Sequence, residues 1–153
     1  MLPDMQLTLA HIGARSPARD GLEALVASYL ERSSAFTPCR AEVFRSEENL
    51  LAWLDRQQGR TAAVPVLFDG RGRQMTSEAF AGWIGAQRDS GAQHLVFAVG
   101  PASGWSEAAL ERAKLRLSLG SWTLPHALAR LVVAEQLYRA FTILSGHPYH
   151  TGH

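Results

Sequence analysis

The sequence is poor in sulfur and nearly devoid of lysine. Cys39 is the only cysteine in 153 residues, which excludes an internal disulfide framework and any zinc site built on paired thiolates. As a lone thiol it reads as a small buried apolar side chain. Lys114 is the only lysine, so the other 14 of the 15 basic residues are arginines, the side chain suited to bidentate phosphate contacts and stacking. No stretch approaches the roughly 18 apolar residues of a membrane span, and the first residues lack the basic-then-apolar order of a secretory signal. A cytoplasmic location with no membrane association is therefore expected. The formal net charge is only +1, so composition gives no sign of a polyanionic partner. Charge is unevenly spread, however: from residue 114 onward Lys114, Arg116, Arg130 and Arg139 face one acid, Glu135, a net +3 before the histidines. Such a segment can meet RNA phosphates, or it can simply be a solvated surface.

The familiar nucleotide fingerprints are also missing. There is no Walker A loop and no Gly-x-Gly-x-x-Gly after the first strand, which argues against an ordinary dinucleotide or NTP enzyme. Ser106 and Ser121 lack the surroundings of a nucleophile elbow. His147, His150 and His153 recur every third residue, but Pro148 and Gly152 interrupt any regular helix there, and no metal is expected.

What is present is an alternation of strands and helices in a chain sized for one domain, 1–153, with 46% hydrophobic and 19% charged residues. Met5 to Ile12 alternates apolar and polar positions before Gly13, as a first strand does. Pro17 suits a helix start, and Leu22, Leu25, Val26, Tyr29 and Leu30 follow at helical spacing. Ala41 to Phe44 suits a short strand, Ser46 caps a helix carrying Leu50, Leu51 and Leu54, and Val64 to Phe68 is a buried strand. The turn Gly70 to Arg73 follows, then Ser77 as cap of a helix with Phe80, Trp83 and Ile84. His94 to Val99 is a fourth strand, broken by Gly100 to Gly104. Ser106 starts a short helix, Leu115, Leu117 and Leu119 alternate as a fifth strand, and a long helix runs from Pro125 to Ile143, ended by Gly146 and Pro148. Trp53, Trp83 and Trp105 read as core or interface aromatics.

This order predicts an α/β fold: a mostly parallel, five- or six-stranded sheet with helices on both faces, binding ligands beyond the carboxyl ends of its strands. Three loops stand there: Asp69 to Arg73, Gly100 to Gly104 and Gly120 to Pro125. Leu119, Trp122 and Leu124 in a glycine-started loop offer an apolar slot of the kind an adenine needs. Unthreaded connections are the general rule, and on that rule alone an open sheet is the expected topology.

The end of the chain carries a resemblance. Thr123-Leu124-Pro125-His126, Arg130, Ala134-Glu135-Gln136-Leu137-Tyr138-Arg139-Ala140 and Gly146-His147-Pro148-Tyr149-His150 closely resemble the C-terminal signature of the RlmH family of SPOUT methyltransferases. Asp69, Arg71, Gly72 and Arg73 resemble that family's Asp-x-Arg-Gly-Lys turn, and Met5 to Gly13 its opening strand. The resemblance implies a SPOUT fold with a C-terminal trefoil knot, a homodimer, S-adenosyl-L-methionine (SAM) as cofactor, and methylation of nitrogen-3 of a pseudouridine in 23S rRNA, presented in the large subunit or the assembled ribosome. It implies cofactor contacts from Phe68, Gly100, Pro101, Gly104, Leu119, Gly120, Ser121, Trp122, Thr123, Leu124 and Pro125, largely through backbone groups. It also implies that Arg139 stabilises the imide anion while Tyr149 or His150 of a partner subunit positions the nucleobase. Two residues depart from the family pattern: Pro101 replaces the second glycine of a Gly-Gly-x-x-Gly loop, removing a backbone donor, and Thr151 stands where Lys or Arg is usual. A SPOUT-like RNA- or ribosome-binding protein without turnover is the alternative reading.

Overall fold

The computed structural model describes residues 5–13, 21–57 and 62–151; Pro17, Gly152 and His153 lie outside them. Ten elements follow one another as β1 (Gln6–Ile12), α1 (Leu22–Ser33), β2 (Cys39–Phe44), α2 (Glu47–Arg56), β3 (Val64–Arg73), α3 (Ser77–Asp89), β4 (His94–Val99), α4 (Glu107–Arg112), β5 (Leu115–Leu117) and α5 (His126–Ser145). The strands form one sheet in the order β2-β1-β4-β3-β5, and each pairing is parallel. Parallel neighbours require crossovers, and the helices that provide them cover both faces.

Strand periodicity divides the core in two. Leu7, Leu9, Leu95, Phe97 and Val66 turn toward α1, α3 and α5, among Val26, Leu30, Ile84, Val133 and Leu137. Ala10, Ile12, Val96, Ala98 and Leu67 turn toward α2 and α4, among Leu50, Leu54, Ala109 and Leu110. Because both faces are covered, even Thr8 and His11 of β1 are buried. Thr8 is satisfied by a 2.8 Å hydrogen bond with Nε2 of His94 on the adjacent strand, as a buried hydroxyl requires.

Some boundaries differ from expectation, and at three of them the local reason is visible. The expected turn at Gly70 to Arg73 is an excursion within β3: Phe68 and Arg73 both register with Leu117. The excursion rejoins β5 because Gly72 has no side chain; a Cβ there would stand 2.7 Å from the backbone carbon of Arg116. The cap of α3 is Thr76, whose hydroxyl accepts from the Ala79 amide at 3.0 Å, while Ser77 donates to Gln136 of α5 at 2.7 Å. Finally, β5 ends before Leu119. The Ser118 hydroxyl takes the Gly120 amide at 3.1 Å and donates to its carbonyl at 3.0 Å, which peels the chain off the sheet. Gly120 completes the departure with φ +123°.

Candidate functional site

The carboxyl ends of β3, β4 and β5 open into one cavity of about 390 Å³. Phe68, Asp69 and Gly70 form one wall, Val99 to Ala102 with Gly104 and Trp105 another, and Leu119, Gly120 and Trp122 to His126 a third, with Ala129 of α5 below. Asp69 is committed to shaping its own wall. It accepts from the Arg71 amide at 2.8 Å and from the Arg71 guanidinium at 3.0 and 3.1 Å, and these bonds hold its carboxyl below the usual range. His126 rests against the buried ring of His11, centroids 5.3 Å apart. Burial and the nearby Arg130 push its pKa down, against a raising bond to the Gly100 backbone, so the ring facing the cavity is neutral at pH 7.

A second polar cluster lies at the other end of α5. Gly146 takes a left-handed conformation (φ 75°) and the His147 amide returns to the Thr142 carbonyl at 2.9 Å, a glycine-ended helix stop that folds the tail back over the last turns. Tyr149 then packs edge-on against Tyr138 at 4.8 Å and donates its hydroxyl to Glu135 at 2.9 Å. Glu135 also accepts from Arg139 at 2.8 Å. Burial raises its pKa, but the bonds from Arg139 and Tyr149 outweigh that and the net shift is down. Arg139 donates to Nδ1 of His150 at 2.9 Å. A guanidinium can only donate, so that nitrogen is the acceptor. The other ring nitrogen faces Glu78 at 3.4 Å. Burial together with bonds to Tyr29 and Glu135 raises the Tyr149 pKa well above its ordinary value, so it stays a phenol and a donor. The Arg32 guanidinium of α1 covers Tyr138 at 4.2 Å and Tyr149 at 5.5 Å.

These two groups do not meet within one chain. Ten helical residues separate Ala129 from Arg139, roughly 15 Å along the axis at 1.5 Å per residue. The face of α5 between them is open: Leu128, Leu131 and Val132 line a groove with Leu25 and Tyr29 of α1, bounded by Glu135 and Arg139, and Leu25 is 48% exposed.

A family model described as "Predicted SPOUT methyltransferase" matches residues 5–150. The chain is 47% identical over 149 residues to the ribosomal RNA large subunit methyltransferase H of Koribacter versatilis (strain Ellin345), covering 97% of this chain and 100% of that protein. The chain belongs to the RlmH branch of the SPOUT methyltransferases. The protein of the same name from Rhizobium etli (strain CIAT 652) is 47% identical over 110 residues, 72% of this chain and 67% of its own. Two solved structures share the SPOUT fold at low identity. One is a probable methylase family protein from Haemophilus influenzae Rd KW20 (TM-score 0.58, 13% identical, 97% of this chain and 71% of that one). The other is the SpoU methyltransferase AviRb from Streptomyces viridochromogenes in complex with AdoMet (TM-score 0.54, 17% identical, 91% and 58%).

Of the residues expected to hold cofactor in this SPOUT chain, the cavity gathers Phe68, Gly100, Pro101, Gly104, Leu119, Gly120, Trp122, Thr123, Leu124 and Pro125; Ser121 is not among its lining. Trp122 stands at the mouth, 86% exposed. Asp69 stands in one of the three loops expected at the strand ends, whereas Trp105, His126 and Ala129 were not expected as walls, Trp105 having been read as a core or interface aromatic. Arg139, Tyr149 and His150 do come together, but on one chain, where the expectation divided them between two subunits. Arg130 leaves the set of candidate phosphate contacts, because it is 1% exposed and paired with Glu23. Among the described residues, no three His, Cys, Asp or Glu side chains are grouped to hold a metal, and no helix is long and apolar enough to cross a membrane.

Proposed function

We propose that this protein is a SAM-dependent methyltransferase acting on nitrogen-3 of a pseudouridine in 23S rRNA, within the large subunit or the assembled ribosome, as a homodimer. The observation carrying this reading is the three-loop cavity at the carboxyl ends of β3, β4 and β5, in a chain 47% identical along its length to a large-subunit rRNA methyltransferase H. The cavity suits the cofactor. Its volume lies within the roughly 300–1,000 Å³ of small-molecule sites, and it pairs the apolar Val99, Leu119, Leu124 and Ala129 with the backbone of three loops. When bound, SAM supplies an activated methyl group on a sulfonium. The protein's part is then to align the attacking nitrogen and ease loss of its proton.

Arg139 fits the second task. Its bonds to Glu135 keep it charged, and its cation stabilises negative charge on the carbonyl oxygens flanking the imide nitrogen. Tyr149, held as a donor, and His150 orient the nucleobase beside it. Because this cluster lies some 15 Å of helix from its own cavity, it serves the cavity of a second subunit. A two-fold arrangement with α5 antiparallel sets the first turn of one helix against the last turns of the other, and covers Leu25, Leu128 and Leu131 at the same time.

The test is transfer from methyl-labelled SAM to ribosomes from cells lacking this protein, with the modified nucleotide located by mass spectrometry. Label on nitrogen-3 of one 23S pseudouridine is expected. SAM uptake without transfer to any ribosomal substrate would favour a binding protein.

A further inference from the structure

Trp105 sits between the Gly100 to Gly104 loop and α4, 5% exposed, and touches two of the three cavity walls at once. Its indole N–H donates to the carbonyl of Phe68, the last residue of β3 paired with β4, at 3.0 Å. Its ring also lies directly against Gly100 at the end of β4: a Cβ on Gly100 would stand 2.6 Å from Cε2 and 2.7 Å from Nε1. Few rigid side chains could fill that space and still reach a carbonyl across it. The indole is in turn held from outside the cavity. Glu47, the first residue of α2, accepts from both the amide of Ser106 at 2.8 Å and its hydroxyl, while Ser106 caps α4 through the Ala109 amide. Arg71 bridges Asp69 of the same wall to Glu107 of α4. Neither Glu47 nor Ser106 lines the cavity.

We propose that Trp105 is the positioning residue that sets the gap between the Phe68 and Gly100 walls of the cofactor cavity, and that Glu47, acting through Ser106, keeps it in place. Volume filling alone does not account for the arrangement, since it needs neither the bond to Phe68 nor a glycine at position 100. Gly100 and Trp105 form a matched pair: the indole is accommodated because position 100 carries no Cβ, and Gly100 is required because the indole is there. The inference rests on the SAM reading of the cavity and names residues that govern it.

The test is calorimetric titration with SAM, together with fluorine NMR of fluorotryptophan-labelled protein. Trp105→Phe, which keeps a ring but loses the donor, should weaken SAM binding about tenfold, and Glu47→Ala should weaken it several-fold from outside the site. Gly100→Ala should bind poorly, and Gly100→Ala with Trp105→Leu should recover part of the loss by relieving the clash between the two positions. In the wild-type chain the Trp105 resonance, assigned by its absence from Trp105→Phe or, if that variant fails to fold, by elimination through Trp53→Phe, Trp83→Phe and Trp122→Phe, should shift on saturation with SAM. A Trp105 resonance unmoved by SAM overturns the inference, as do Trp105→Phe and Glu47→Ala variants that bind like wild type, or a double variant no better than Gly100→Ala. If the wild-type chain takes up no SAM at all, the methyltransferase reading itself fails, a result distinct from these.

Discussion

Glu135 organises the chemistry of the tail, accepting from Gln136, Arg139 and Tyr149 together. Without Arg139, Glu135 keeps its bonds from Gln136 and Tyr149, so on the proposed reading its removal tests catalysis more than folding. Arg139→Ala should leave SAM affinity near wild type and slow methyl transfer about a hundredfold, the usual scale for losing one preorganised charge stabiliser. Single-turnover kinetics beside a binding titration separates the two effects. A pH dependence follows from His94, whose pKa burial and the Arg40 charge lower from the ordinary 6.5. The unfolded chain then takes up the proton first, so stability is full above about pH 6.5 and falls as the pH drops below it. Melting temperatures from pH 7 to 5 should trace that loss, and His94→Gln, neutral throughout, should show less of it. At this scale the tail motif was legible in the sequence as a string, because its residue types announce their chemistry. The cluster around Arg139 was only partly legible: Glu135 stands one helical turn away, but Arg32, which covers Tyr138, and Glu78, which faces His150, come from distant elements. No local spacing reports such contacts.

Among the elements, strand and helix order could be read from period and punctuation, and the five strands stand where the apolar runs put them. The ends of β3 and β5 could not. They depend on Gly72 lying against the Arg116 backbone and on Ser118 capturing Gly120, one a tertiary contact and the other a side chain competing with the sheet. Gly72 and Gly70 provide a direct comparison. Gly72→Ala must push backbone against backbone and should cost about 1–3 kcal/mol, whereas a Cβ at Gly70 meets nothing within 4 Å and should change stability little. Urea midpoints of the two variants check this. Charge was misread for a related reason. The basic excess after residue 114 counted Arg130, which is buried against Glu23, so a sum over sequence overstated the cation available to RNA.

For the whole molecule, the cavity and the Arg139 cluster occupy opposite ends of α5, and a single chain holds both without joining them. Leu25, Leu128 and Leu131 line an open groove between them; the proposed homodimer places its second copy there, and a dimer at micromolar concentration is the state expected by sedimentation. Leu128→Glu should shift it toward monomer and reduce transfer in parallel. Arg139 is bonded to its own chain's His150, so on the proposed dimer both groups would serve the same partner cavity. Arg139→Ala and a chain truncated before Tyr149 should therefore fail to rescue each other. The decisive measurement mixes two inactive proteins that differ in which half they lack: Gly120→Leu, strained at φ +123° in the cavity loop, and Arg139→Ala. After demonstrated subunit exchange, each heterodimer contains one intact cavity facing one intact cluster, and methyl transfer should return to up to about half of the wild-type rate per dimer. Exchange without any return of activity would contradict a site completed across the dimer and leave Arg139 as a structural partner of Glu135.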